Sequence, residues 1–230
     1  MFKDQLNISM QGFIKIFDRD TGEILADTHN DVLFGNASVA FAHTLIGNPN
    51  SFLSYMAFGN GGAYVSGPGP ILYKPTLGGP TSTIKNPTAN LYNTIYVKKI
   101  SNNSTTAADY SPDSRAFIPF ENYSTTFEDI IVDVTINHYE PPVALSGLDP
   151  NAITFNEIGL FIGSNNLFNG DYTQTQSDVD NFITQSPNFS TIPGIKSKLM
   201  ITHVIFSPIT KSAIRSLEIE YTLRVQLGVQ

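Results

Sequence analysis

The sequence predicts a mainly β protein: an antiparallel β-sandwich or partly open barrel with one packed helix and long loop insertions, in a single domain over residues 1–230. Three observations carry that expectation. The clearest segments alternate apolar and polar residues with period two, two further segments are apolar on both faces, and only one stretch has a convincing helical pattern. The chain, 230 residues with 41% apolar side chains, is long enough to bury a core.

Taken in chain order, "GFIKIFDRDTGEILADT" reads as a β-hairpin. Phe13–Phe17 and Ile24–Leu25 flank the turn "DRDTGE", where Gly22 is available for positive φ. "NASVAFAHTLIGN" is the helix. It offers Asn36 or Ser38 as a cap, Phe41/Leu45 and Ala42/Ile46 at i,i+4, and Gly47 where a glycine ends a helix. "SYMAF" reads as a strand that stops at the glycine run beginning at Gly59. "FEDIIVDVTINHY" alternates, with Ile130, Val132, Val134 and Ile136 on one face. "ITFNEIGLFIG" and "KLMITHVIFSP" read as more fully buried strands. A weaker helix is expected in "SDVDNFITQS". In "RSLEIEYTLRVQLG", Leu217, Ile219, Tyr221, Leu223, Val225 and Leu227 alternate with polar residues, which a helix would scatter around its circumference. Between these elements, residues 59–90, 101–115, 140–151 and 164–195 are irregular. Loops this long are uncommon in compact domains unless they are functional or disordered, so they are expected to be arms that order against neighbouring subunits.

Composition narrows the function. Only 14% of residues are charged and the net charge is −7. A surface poor in charge is weakly protected against association, which suits a surface covered by partners. No basic block marks a specific nucleic-acid reader. Cysteine is absent, which removes disulfides, thiolate metal sites and cysteine nucleophiles. The start, "MFKDQLNISMQGF", has no run that reads as a signal peptide, and no stretch reaches the apolar length of a membrane-spanning helix.

Each candidate chemistry meets a simpler alternative. "GNGGAY" at Gly59–Tyr64 lacks the lysine of a phosphate loop, the nearest being Lys74, and Pro68 and Pro70 forbid the helix that must follow. Its glycines serve a backbone turn or a close approach instead. His29, His43, His138 and His203 are dispersed, with His43 on the helix and His138 and His203 on strands. "DRDTGE" lacks the spacing of a calcium loop. No nucleophile elbow occurs around Ser54 or Ser207. Glu157 lies inside an apolar strand, where a carboxylate serves as a general acid or, more commonly, pairs with an arginine or backbone donors at a sheet rim. The absence of tryptophan argues against a sugar-stacking module, while ten Tyr and sixteen Phe suit protein interfaces. The expectation is therefore no catalytic residue, no cofactor and no metal.

Three stretches, "FIKIFDRDTGEILADTHND", "MAFGNGG" and "KLMITHVIFSPITKSAIRSLEIEYTLRVQ", together resemble virion structural proteins of tailed bacteriophages. The likeness covers residues 13–62 and 198–226 and leaves 63–150 unmatched. It implies a virion component of the neck, collar or tail, assembled in the bacterial host cytoplasm. It further implies a homo-oligomeric connector ring of about six or twelve copies that joins portal and tail proteins. On this reading Gly59, Gly61 and Gly62 are a hinge, and Tyr64 and Tyr73 belong to an arm that meets a neighbour. The acidic balance suits a wall that DNA passes without adhering. The alternative is a receptor- or carbohydrate-binding module of the phage tail, and a virion-borne glycan hydrolase using Glu157 is the third reading.

Overall fold

The computed structural model describes residues 6–48, 51–78, 85–102, 114–119, 126–138, 140–141, 152–163, 175–184 and 198–229. In chain order the elements are β1 (Leu6–Asp18), β2 (Ile24–Val32), α1 (Phe34–Leu45), β3 (Leu53–Gly59), β4 (Ala63–Val65), β5 (Ile71–Tyr73), β6 (Thr94–Lys99), β7 (Ser101–Asn102), β8 (Ser114–Phe117), β9 (Phe127–Ile136), β10 (Ala152–Gly163), α2 (Gln176–Thr184), β11 (Lys198–Ser212) and β12 (Leu217–Val229). The mainly β, antiparallel architecture expected from the sequence is what the chain adopts.

Ten strands form one sheet in the order β6-β3-β10-β11-β2-β1-β12-β9-β8-β7. Its two outermost strands, β6 and β7, are separated in sequence by Ile100 alone. The sheet therefore curls until one chain segment runs along both of its edges. Ile100 donates its N–H to the Ser54 carbonyl on the β3 side, and the Ser114 hydroxyl of β8 donates to the Lys99 carbonyl at 2.6 Å. Lys98 crosses the same seam, its ammonium reaching the Thr135 carbonyl of β9 and the Glu140 carboxylate at 2.6 Å, with both side chains buried. Near-closure of this kind covers much of the two sheet edges.

The alternating patterns fix which faces meet. Ile14 and Ile16 of β1, Val132, Val134 and Ile136 of β9, and Leu217, Ile219, Tyr221 and Leu223 of β12 point inward. They meet Met56 and Phe58 of β3, Tyr96 of β6, Phe155, Ile158, Leu160 and Ile162 of β10, and Leu199, Ile201, Val204 and Phe206 of β11. The strands β10, β11, β3 and β6 carry a second apolar layer on their outer face. Tyr55, Ala57, Val97, Phe161 and Met200 lie there under Ala89, Leu91 and Phe182 of α2. That double burial explains why "ITFNEIGLFIG" and "KLMITHVIFSP" do not alternate. The connection between the two halves is narrow, because β2 and β11 share only the register pairs Val32–Thr202 and Asp31–His203, against thirteen for β1 with β12.

Both expected helices are present, with two differences. α1 begins at Phe34 with no side-chain cap. Asn36 is buried instead, donating to the carbonyls of Asn86 and Met200 and accepting the Asn86 N–H, so it serves tertiary structure rather than capping. The pairs Phe41/Leu45 and Ala42/Ile46 face outward, and Leu45 and Ile46 are more than two-thirds exposed. Gly47 sits past the last turn at φ +71°, as expected. His138 lies in the turn after β9 rather than on a strand. The "DRDTGE" turn closes as a hairpin. Asp18 accepts the N–H groups of Asp20 and Thr21 and pairs with Arg215, and Gly22 takes φ +73°. Most of the expected loops at 101–115 and 140–151 lie outside the described residues, as do 164–174 and 185–195.

Candidate functional site

The glycine run at the end of β3 leads into a two-stranded hairpin, β4–β5, that forms a small sheet of its own and lies against β11. What fixes its base is a pair of side chains from β10. Glu157 carries a carboxylate with no exposed surface. Its Oε1 accepts the N–H groups of Gly61 and Asn93, each at 2.9 Å, and its Oε2 accepts the Tyr92 N–H at 3.0 Å and Nε2 of His203 at 3.2 Å. The neighbouring Asn156 accepts the Gly62 N–H at 2.9 Å through Oδ1. Its Nδ2 donates to the carbonyls of Asn60 and Ala63. A β-bulge between Phe155 and Glu157 lets these consecutive residues both serve the loop.

The returning strand is fixed as firmly. After β5, Lys74 donates its N–H to the Gly62 carbonyl at 2.8 Å. Pro75 accepts the Tyr92 hydroxyl at 2.7 Å, and the Thr76 hydroxyl donates to Asp31. Leu77 donates its N–H to Nδ1 of His203 at 3.1 Å. Because Nδ1 accepts, the ring proton sits on Nε2 and is donated to Glu157. His203 thus links both ends of the hairpin to one carboxylate.

The electrostatics follow from these partners. Burial works to raise the Glu157 carboxyl. The His203 N–H and the backbone N–H groups of Asn93, Tyr92 and Gly61 outweigh it and hold the acid below its usual value. Burial, then the facing Glu157 charge, raise the Tyr92 phenol. Every Glu157 oxygen is filled by donors, so the geometry makes it an anchor for backbone and leaves no free lone pair aimed at a ligand. Among the described residues, no group of three or more His, Asp or Glu side chains is placed to hold a metal.

The five residues expected from sequence to form a hinge and arm, Gly59, Gly61, Gly62, Tyr64 and Tyr73, all fall on this feature. Gly59 ends β3 opposite Glu157, and a Cβ there would lie 2.5 Å from the carboxylate and 2.6 Å from the Asn93 carbonyl. A Cβ on Gly61 would lie 2.7 Å from the Asn93 nitrogen, and one on Gly62 3.1 Å from Glu157 and Ile205. Close approach, not positive φ, is what these three glycines provide; the left-handed residue of the hairpin is Gly67, at φ +63°. Tyr64 and Tyr73 are each half exposed on the hairpin, with the Tyr73 hydroxyl 2.8 Å from that of Ser207. Beside them Val65, Ile71 and Leu72 are also exposed.

Sequence reasoning missed Asn156, Tyr92, Asn93 and the role of His203. The one signal available was the polar pair Asn156–Glu157 inside an apolar strand. Its partners lie 46 to 96 residues away in the chain. Comparison with family models, with curated proteins and with solved structures returns no match to this chain.

Proposed function

We propose that the chain is a structural subunit of a tailed-bacteriophage virion, a ring-forming connector of the neck or tail that joins portal and tail proteins. The observation that supports this best is the anchored apolar hairpin. Five large apolar side chains, Tyr64, Val65, Ile71, Leu72 and Tyr73, stand exposed on two short strands whose base is tied to β10 by Glu157 and Asn156. Segment 59–78 contains one charged residue, Lys74, on a chain of net charge −7. The register puts Tyr64 and Leu72 on one face and Val65, Ile71 and Tyr73 on the other, and large apolar side chains exposed on both faces of one hairpin mark an interaction site. Fixing it in advance lowers the entropy lost on docking. A nearly closed sheet gives the rigid body that a ring requires, and the hairpin gives a heterologous contact, in which one subunit's protrusion meets a different surface of the next.

The test is the particle. Mass spectrometry of purified virions is expected to find the chain in a copy number that matches a ring, and its absence from particles overturns the reading. With the purified protein, portal and tail partners are expected to drive it from monomer to ring in light scattering; a chain that stays monomeric in their presence counts against it.

A further inference from the structure

Lys198, the first residue of β11, is buried with 2% of its surface exposed, and no carboxylate pairs with it among the described residues. Its amine lies over the rings of Phe182 at 4.5 Å and Phe161 at 5.0 Å. Among the described residues, the side-chain polar group it touches is the carboxamide oxygen of Asn90, 108 residues away in the chain. The Asn90 carboxamide is itself oriented, its Nδ2 donating to the Ile183 carbonyl of α2 at 3.1 Å. A primary amine under an aromatic cover is thus placed in contact with a primary carboxamide.

We propose that Lys198 and Asn90 form an intramolecular isopeptide bond, an autocatalytic modification that ties β11 to the segment preceding β6. The amine lone pair of Nζ attacks Cγ of Asn90 and gives a tetrahedral adduct. One proton leaves Nζ and arrives on Nδ2, relayed by water, which reaches the half-buried Asn90. The Cγ–Nδ2 bond breaks, ammonia departs, and an Nζ–Cγ amide remains. Nothing is oxidised or reduced, and one ammonia is lost per bond.

Two features support the step. Attack requires a neutral amine, and burial pushes the Lys198 amine down to about 7. The aromatic rings act in the opposite sense by favouring an ammonium, but a ring contact contributes less than full desolvation costs. Holding the two groups together also replaces a bimolecular encounter with an intramolecular one, worth effective molarities of about 10⁵ M or more where alignment is good. With no carboxylate at the pair among the described residues to shuttle protons, the reaction is expected to be slow and to accelerate as pH rises past about 7.

The experiment is intact-mass measurement of the full folded chain after incubation at pH 6 and pH 9. The expected result is a mass lower by about 17 Da, one ammonia, accumulating faster at pH 9 and absent from protein kept in urea. Proteolysis is expected to yield a branched peptide joining Asn90 to Lys198, which distinguishes the bond from ammonia loss at Asn60-Gly61. Asn90→Ala and Lys198→Met are expected to keep the full mass, with circular dichroism showing that each variant is folded. Folded wild-type protein that keeps its full mass at pH 9 overturns the proposal. So does a mass loss that persists in Asn90→Ala, or one whose digest holds no branched peptide. The outcome is independent of whether the chain belongs to a virion.

Discussion

Glu157 is an acid in an apolar strand whose charge is spent on backbone. Its folded-state pKa lies below the unfolded value, so its contribution to stability is complete above the ordinary carboxylate range and is lost as pH falls through the folded value. Glu157→Gln keeps the shape but turns an amide toward N–H groups that need an acceptor. It is expected to cost about 3 kcal/mol at pH 7, the scale of breaking a buried charged contact, read as a lower urea midpoint. The gap between variant and wild type is expected to narrow as pH falls below the ordinary carboxylate range and through the lowered folded value, where the wild-type acid also protonates. Lys211 makes the opposite case. Burial lowers its amine to about 8, although Glu140 and Asp20 pull upward. Its folded value lies below the unfolded 10.5, so it penalises the fold increasingly as pH drops from about 10.5 to about 8, and by a constant amount below that. Lys211→Met is expected to flatten the rise of Tm across that window, measured by calorimetry.

At the scale of the element, the hairpin β4–β5 separates two properties that the glycine run confuses. Gly61 packs its α-carbon against the Asn93 backbone, so Gly61→Val must push the loop off Glu157. That substitution is expected to lower both folding stability and assembly. The selective lesion lies further out. Tyr64→Ser with Leu72→Ser removes exposed apolar surface and no hydrogen bond that holds the loop. The pair is expected to change stability by no more than about 0.5 kcal/mol per site, read from urea midpoints, while abolishing incorporation into rings in light scattering. Equal loss of folding and assembly in this variant would remove the hairpin as a docking element. α1 presents a comparable contrast, since its i,i+4 pairs were legible and yet Leu45 and Ile46 face solvent. Periodicity finds an amphipathic ridge but not the side of the helix that the sheet covers. Here Gly35, Asn36, Ala37 and Val39 are the buried set.

For the whole molecule, the decisive feature is the seam where β6 and β7 bring the two sheet edges together. Lys98 and Glu140 meet there without exposure. Lys98→Met leaves the Glu140 charge buried without its counter-ion and is expected to cost about 3–5 kcal/mol. Changing both residues to apolar ones of similar volume is expected to recover most of it, by urea unfolding. Hydrogen exchange is expected to rank the sheet, slowest along β1–β12 with its long register and fastest at β7–β8, where only two residue pairs meet.

The strands were readable because burial on one face imposes period two, as in Leu217 to Leu223, and burial on both faces yields the apolar runs of β10 and β11. The hairpin turn at Gly22 and the helix stop at Gly47 were equally local, each set by a backbone conformation that glycine adopts without strain. Sequence by itself therefore determined the fold class and most strands, and showed that the glycine run at Gly59–Tyr64 lacks the spacing of a phosphate loop. It could not show that Glu157 receives Gly61, Tyr92, Asn93 and His203, that Lys98 closes a seam on β9, or that Lys198 rests against Asn90. Only the tertiary structure decided these. Each is a pairing between residues far apart in the chain, and a buried polar side chain carries in its own sequence neighbourhood the need for a partner but not that partner's position.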